Sequence, residues 1–202
     1  MSNGTEAQMS QNPKDRRKAG PSAVLTAAVL SAGLMAGASA AQPMMIEDFS
    51  DGKAPDWRYV SDRVMGGVSD GEMQMITQGD STFSRLTGTV STANNGGFIQ
   101  FRRALEVPFG AETSALKLRV RGNGERYYIH LRPKSSNRPW HYFAASFAAG
   151  EDWQEITLPW DSFTAQGGLQ AEFDPTEVTS IGVVAYGADY EAQLDVAWIA
   201  VD

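Results

Sequence analysis

The sequence predicts an all-β protein, an antiparallel β-sandwich spanning residues 42–202. Three observations carry the prediction. Short runs alternate apolar and polar residues with a period of two, Gly, Asn, Asp and Pro punctuate the chain between them, and no long segment shows the 3.6-residue period of an amphipathic helix. A chain of 202 residues, 42% hydrophobic and 20% charged, suits one globular domain with a substantial core.

Residues 1–41 read as an N-terminal extension and signal peptide. Lys14-Asp15-Arg16-Arg17-Lys18 is basic, residues 23–37 are rich in Ala, Val, Leu and Met, and Ala38-Ser39-Ala40-Ala41 has the small residues of a cleavage site. The apolar run is shorter than the ~20 residues of a membrane span, so cleavage is favoured over a retained anchor. The expected destination is the periplasm, by the Sec route. Lys-Ala-Gly-Pro follows Arg16-Arg17, where a twin-arginine signal has bulky apolar residues.

The formal net charge is −7; without residues 1–41 the chain keeps 13 basic and 22 acidic residues, a net −9. So acidic a body does not suit non-specific nucleic-acid binding. The sequence has no cysteine, which excludes disulfides, thiolate zinc sites and cysteine nucleophiles.

Along residues 42–202 four stretches show strand character. The run 116–121 alternates Leu116, Leu118 and Val120 with Lys117, Arg119 and Arg121. The turn residues Gly122-Asn123-Gly124 follow, and then Tyr127, Ile129 and Leu131 alternate with polar neighbours. The expectation is a hairpin with one buried face. The run 153–158 is closed by Pro159, which cannot donate to a ladder. Residues 181–186 and 194–201 are mostly apolar strands.

Three segments carry a resemblance. The first is Trp57 followed by Asp62-Arg63-Val64-Met65-Gly66-Gly67-Val68-Ser69. The second is Asn94-Asn95-Gly96-Gly97-Phe98 with Arg102 beyond it. The third runs from Trp153 to Pro159-Trp160-Asp161-Ser162-Phe163. Together they resemble the complex I intermediate-associated protein 30 domain, from about Ile46 to Val201. The resemblance implies a galactose-binding-like jelly roll, a role as an assembly factor for a respiratory complex and no known catalytic residues. The Pro-aromatic-x-x-Phe ending also resembles jelly-roll carbohydrate-binding modules.

The candidate binding residues fall in three groups. Trp57, Asp62, Met65, Gly66, Gly67 and Ser69 form a loop facing a partner or ligand, or a turn in which glycine supplies positive φ and Met65 fills the core. Asn94, Asn95, Gly96 and Gly97, with Arg102 downstream, form a second loop whose amides suit turn chemistry or a ligand's hydroxyls. On the polar face of the expected hairpin, Lys117, Arg119, Arg121, Arg126, Tyr128, His130 and Arg132 form a basic stripe suited to a carboxylate or acidic partner. The competing reading is a charged face that blocks edge pairing. Trp140, Tyr142 and Trp160 either stack on sugar rings or cover the ends of the core. Asp48, Asp51 and Asp195 suit solvated turns better than a calcium site.

Enzyme readings find little support. His130 and His141 have no metal-ligand spacing, neither a Gly-x-Ser-x-Gly elbow nor a P-loop is read, and Gly122-Asn123-Gly124 lacks the third glycine of a dinucleotide fingerprint. The sequence is therefore read as non-catalytic, with neither metal nor cofactor. Its expected partner is a protein, such as a membrane-complex subunit, and the alternative is a carbohydrate.

Overall fold

The computed structural model describes residues 43–202, and the signal read in residues 1–41 lies outside them. Twelve strands form two six-stranded sheets in which every pairing is antiparallel. The back sheet runs β3 (Asp70–Gln78), β4 (Ser81–Val90), β12 (Tyr190–Val201), β6 (Ala115–Gly122), β9 (Gln154–Pro159), with β1 (Met44–Glu47) beside the far half of β12. The front sheet runs β10 (Thr164–Gln166), β8 (Tyr142–Ala148), β7 (Arg126–Pro133), β11 (Val178–Tyr186), β5 (Phe98–Ala104), β2 (Arg58–Ser61). The described residues contain 3-10 turns but no α-helix, and none of their helices could cross a membrane.

The period-two alternation places the core. Leu116, Leu118 and Val120 of β6 and Leu194, Val196 and Ile199 of β12 face Ile99 and Phe101 of β5, Tyr127, Ile129 and Leu131 of β7 and Ile181 and Val183 of β11. All are buried in one cluster. Each contributes about 1.5–3 kcal/mol through removal from water, which supplies the main drive to close the sandwich. Trp160 stacks on Phe109 at 5.6 Å, and its indole N–H donates to the Thr113 carbonyl at 2.8 Å. It therefore covers one end of the core.

The expected hairpin does not form. β6 lies in the back sheet and β7 in the front sheet, so residues 122–125 arch across the edge of the sandwich. The arch is fixed by Gly122 N–H to Gly150 O at 2.6 Å and Gly124 N–H to Ala149 O at 2.7 Å. The Tyr127 hydroxyl crosses between the sheets, donating to Asn123 Oδ1 at 2.6 Å and accepting from Gln193 N–H at 3.0 Å. Alternation dictates which face of each strand is buried. It does not say whether two successive strands lie side by side or face to face.

On the outer face of the back sheet, buried Asp195 of β12 accepts two bonds from Arg85 of β4, at 2.6 and 2.8 Å, and one from Arg121 of β6 at 2.7 Å. This carboxylate ties three adjacent strands and is committed to guanidinium groups. Asp48 and Asp51 instead hold the backbone N–H groups of Ser50 and Lys53. Removing one partner of a buried ion pair costs about 3–5 kcal/mol, less where the survivor reaches water. Arg85 and Arg121 are about a quarter exposed, so Asp195→Ala should cost about 2–3 kcal/mol, read as a lower denaturant midpoint with an unchanged m-value.

Candidate functional site

Asp62 follows the last residue of β2 and opens a 3-10 turn, Asp62–Met65. It is wholly buried. One carboxylate oxygen accepts the Ser69 N–H at 2.9 Å. The other accepts the Ser69 hydroxyl at 2.5 Å, the Gly97 N–H at 2.5 Å and the Phe98 N–H at 3.2 Å. Burial alone raises this carboxyl's pKa. The Ser69 hydroxyl and the N–H groups of Gly97, Phe98 and Ser69 outweigh burial and hold it below its ordinary value of 3.8. Ser69 Oγ also accepts the Ser91 N–H at 2.9 Å.

The two loops are thus bound to each other through one carboxylate. A Cβ added at Gly67 or at Gly96 would overlap Asp62, so both glycines are needed for this close approach. Asn94 and Asn95 take left-handed φ of 56° and 57°, which asparagine tolerates better than most residues. The lock leaves Val64 and Met65 pointing outward, 76% and 61% exposed. Met65 is therefore a surface residue and fills no core.

Beside the locked loops the outer face of the front sheet forms an open cleft of about 550 Å³. Val64, Met65, Asn95 and Gly96 stand on one rim, and Pro139 and Trp140 also line it. Register across the floor places Arg58 opposite Arg102, Arg102 opposite Gly182 and Gly182 opposite His130. Ser180 lies one step along, opposite Arg132. Gly182 contributes no side chain, so Gln100, Arg102 and His130 border an open floor. The described lining contains no Asp or Glu.

His130 stacks on Tyr142 at 4.0 Å and 18°, with Tyr186 edge-on at 5.8 Å. Burial, reinforced by the Arg132 charge, pushes its pKa down to about 3, and its Nε2 is buried with no described hydrogen-bond partner. Burial and the Arg102 charge lower the Arg132 pKa, and the Arg132 guanidinium donates to the Pro139 carbonyl.

The other expected residues are dispersed. Trp57 is buried, packs on Phe101 at 5.1 Å and donates its indole N–H to Glu47 at 3.1 Å; it belongs to the core and offers no partner a surface. The basic stripe is split between the two outer faces because β6 and β7 belong to different sheets. Arg119 and Arg121 lie on the back, over Trp153 at 5.5 and 4.8 Å, and Arg121 is held by Asp195. His130 and Arg132 lie in front, where Arg102 joins them.

Contrary to the reading that no Gly-x-Ser-x-Gly elbow occurs, Gly67-Val68-Ser69-Asp70-Gly71 has that spacing. Here Ser69 is buried, its hydroxyl donates to Asp62, and a strand follows it. It has the access neither of an elbow serine nor of a nucleophile. Tyr186, Gln100 and Ser180 carry no motif in the sequence, although the alternation of β11 and β5 puts each on the outer face.

Asp62→Asn should cost about 2–4 kcal/mol, because an amide nitrogen would meet N–H groups left without an acceptor. A carboxyl with a lowered folded-state pKa stabilises above its unfolded value, and that contribution is lost as pH falls through the lowered value. The stability gap between wild type and Asp62→Asn should therefore be fully open at pH 7 and close only in acid below the ordinary value of 3.8. Denaturant titrations across that range read it. The ring protons of His130 should not titrate between pH 5 and 8 in NMR spectra, and a midpoint near 6.5 would contradict its buried, neutral state.

A profile of the complex I intermediate-associated protein 30 family matches residues 47–196. Comparison with curated proteins finds no match. Among solved structures, the chain is similar to a family 11 carbohydrate-binding module from Clostridium thermocellum, in complex with a β-1,3-1,4-mixed-linked tetrasaccharide, with a TM-score of 0.65 and 16% identity over 81% of this chain and 96% of that one. It is also similar to part of an exo-β-agarase, with a TM-score of 0.53 and 9% identity over 79% of this chain and 25% of that one. At these identities the likeness is one of fold, a jelly-roll β-sandwich. The match over residues 47–196, with the Asp62 lock joining its two glycine loops, places this chain in the complex I intermediate-associated protein 30 family.

Proposed function

We propose that this chain is a non-catalytic interaction domain that acts as an assembly factor, exported to the periplasm, where it holds a protein partner at the membrane surface. The observation that carries this reading is the pair Val64 and Met65. A buried carboxylate and two obligatory glycines fix a loop whose product is an outward-facing aliphatic pair beside an open cleft. Exposed apolar residues grouped on a rigid rim suit a protein surface, and methionine adapts to varied partner shapes. Membership of a family described as intermediate-associated supports the same role, and the basic and apolar segments before residue 42 support export.

A second reading is carbohydrate binding in the cell envelope. Trp140, Tyr142 and Tyr186 line the cleft and offer aromatic faces to sugar rings. The structural likeness to a carbohydrate-binding module in complex with a tetrasaccharide supports it.

The two readings separate by experiment. Tagged wild-type protein should retain a membrane complex from solubilised membranes, and Val64→Asp with Met65→Asp should lose it while unfolding at the same temperature. If the double variant retains the complex, the rim does not carry binding. Retardation in gels containing mixed-linkage β-glucan, abolished by Trp140→Ala, would favour the carbohydrate reading.

A further inference from the structure

We infer that the front cleft is a carboxylate-binding site for an acidic, apolar-flanked segment of the protein partner, with Arg102 and Arg132 as its anion-binding residues. This rests on the proposed protein-binding role and adds the chemistry of what is bound.

The first ground is charge. The body of the chain is strongly acidic, yet the described residues lining the cleft include two arginines and no acid. Among the described residues neither Arg102 nor Arg132 forms an ion pair, whereas Arg63, Arg85, Arg103, Lys117 and Arg121 all do. Arg58 stands beside Arg102 in the sheet and adds to the positive field. Cations brought together without a counter-ion repel each other, and the Arg102 charge adds to burial in lowering the pKa of Arg132. An arriving carboxylate relieves that repulsion and forms charge-assisted hydrogen bonds.

The second ground is the buried, unpartnered nitrogen of His130. A buried ring nitrogen without a partner leaves hydrogen-bonding capacity unmet at a cost in free energy, and the half-buried ring is fixed by its stack on Tyr142. The ring is neutral, so it lines the floor without adding a third full charge to the cluster. The open floor over Gly182 lies between Arg102 and His130 in the register. A side chain there would crowd Gln100, since a Cβ would come to 3.0 Å from its Oε1.

The third ground is the rim. Val64 and Met65 present aliphatic surface at the mouth, which suits Leu- or Val-like neighbours of the acidic residue. An acidic glycan would use the same arginines but leave this aliphatic pair in water, and for that reason the peptide is the occupant chosen.

The test uses acetyl-Leu-Glu-Leu-amide and acetyl-Leu-Gln-Leu-amide as probes, with the side-chain Nε–Hε resonances of Arg102 and Arg132 followed by NMR. The Glu peptide should produce saturable shifts at low salt, weakening as ionic strength rises. The Gln peptide should bind about tenfold more weakly or worse. R102Q with R132Q should abolish the shifts felt by His130, and R119Q, which removes one positive charge from the opposite face, should leave them unchanged. Equal responses to the two peptides, or none to either, would overturn the site. Trigalacturonate binding more tightly than the Glu peptide would overturn the peptide occupant in favour of an acidic glycan. Undiminished retention of the membrane complex by folded R102Q/R132Q would overturn the inference while leaving the interaction role standing.

Discussion

One buried carboxylate sets the geometry on which the candidate site depends. An ionised Asp inside a protein is tolerated only when donors replace its lost water. Asp62 receives four, three of them backbone N–H groups, from residues as far as 36 positions away in the chain. Backbone donors from two loops converge on one carboxylate only if those loops come very close, and the glycines at 67 and 96 permit that approach. The motif that marks the family is thus an internal fastening, and the surface it produces is made by the residues between its fixed points.

The arginines illustrate how placement decides a residue's role. On the back sheet Arg85 and Arg121 enclose Asp195 and lie over the ring of Phe83 at 5.5 and 5.1 Å. Asp195 offsets part of their charge within the fold, where the pairing cross-links β4, β12 and β6. On the front sheet Arg102 and Arg132 have no described acidic partner. In a molecule of net negative charge, cations without a described acidic partner in the front cleft make the local potential there more favourable to anions than the net charge suggests.

Much of the fold was legible from period-two alternation and turn residues. The strands read at 116–121, 153–158, 181–186 and 194–201 fall within or across β6, β9, β11 and β12. What alternation could not supply was the partner of each strand, because β6 and β7 bury the same kind of face whether adjacent or opposed. The basic stripe failed with the hairpin that generated it. In the site, glycine pairs and a nearby acid were visible as a motif, but a sequence does not say that Asp62 bonds to Gly97. Trp57 introduces the motif and so reads as a binding residue, whereas its packing on Phe101 and its bond to Glu47 make it core. The cleft draws on five strands and three loops, so no single window of sequence contained it.

The strands that build the cleft also build the core, and this explains how one sandwich serves chains of such different sequence. Along β5, Ile99 and Phe101 point inward while Gln100 and Arg102 point outward; along β7, Ile129 and Leu131 point inward while His130 and Arg132 point outward. Alternate residues therefore answer to separate demands, one set to packing and the other to the outer surface. The outward set can change without opening a cavity, since its side chains fill no part of the interior. Chains only 16% identical can then share the jelly roll while presenting different chemistry on its front face. Guanidinium groups, an unpartnered imidazole and an aliphatic rim form the chemistry of this one.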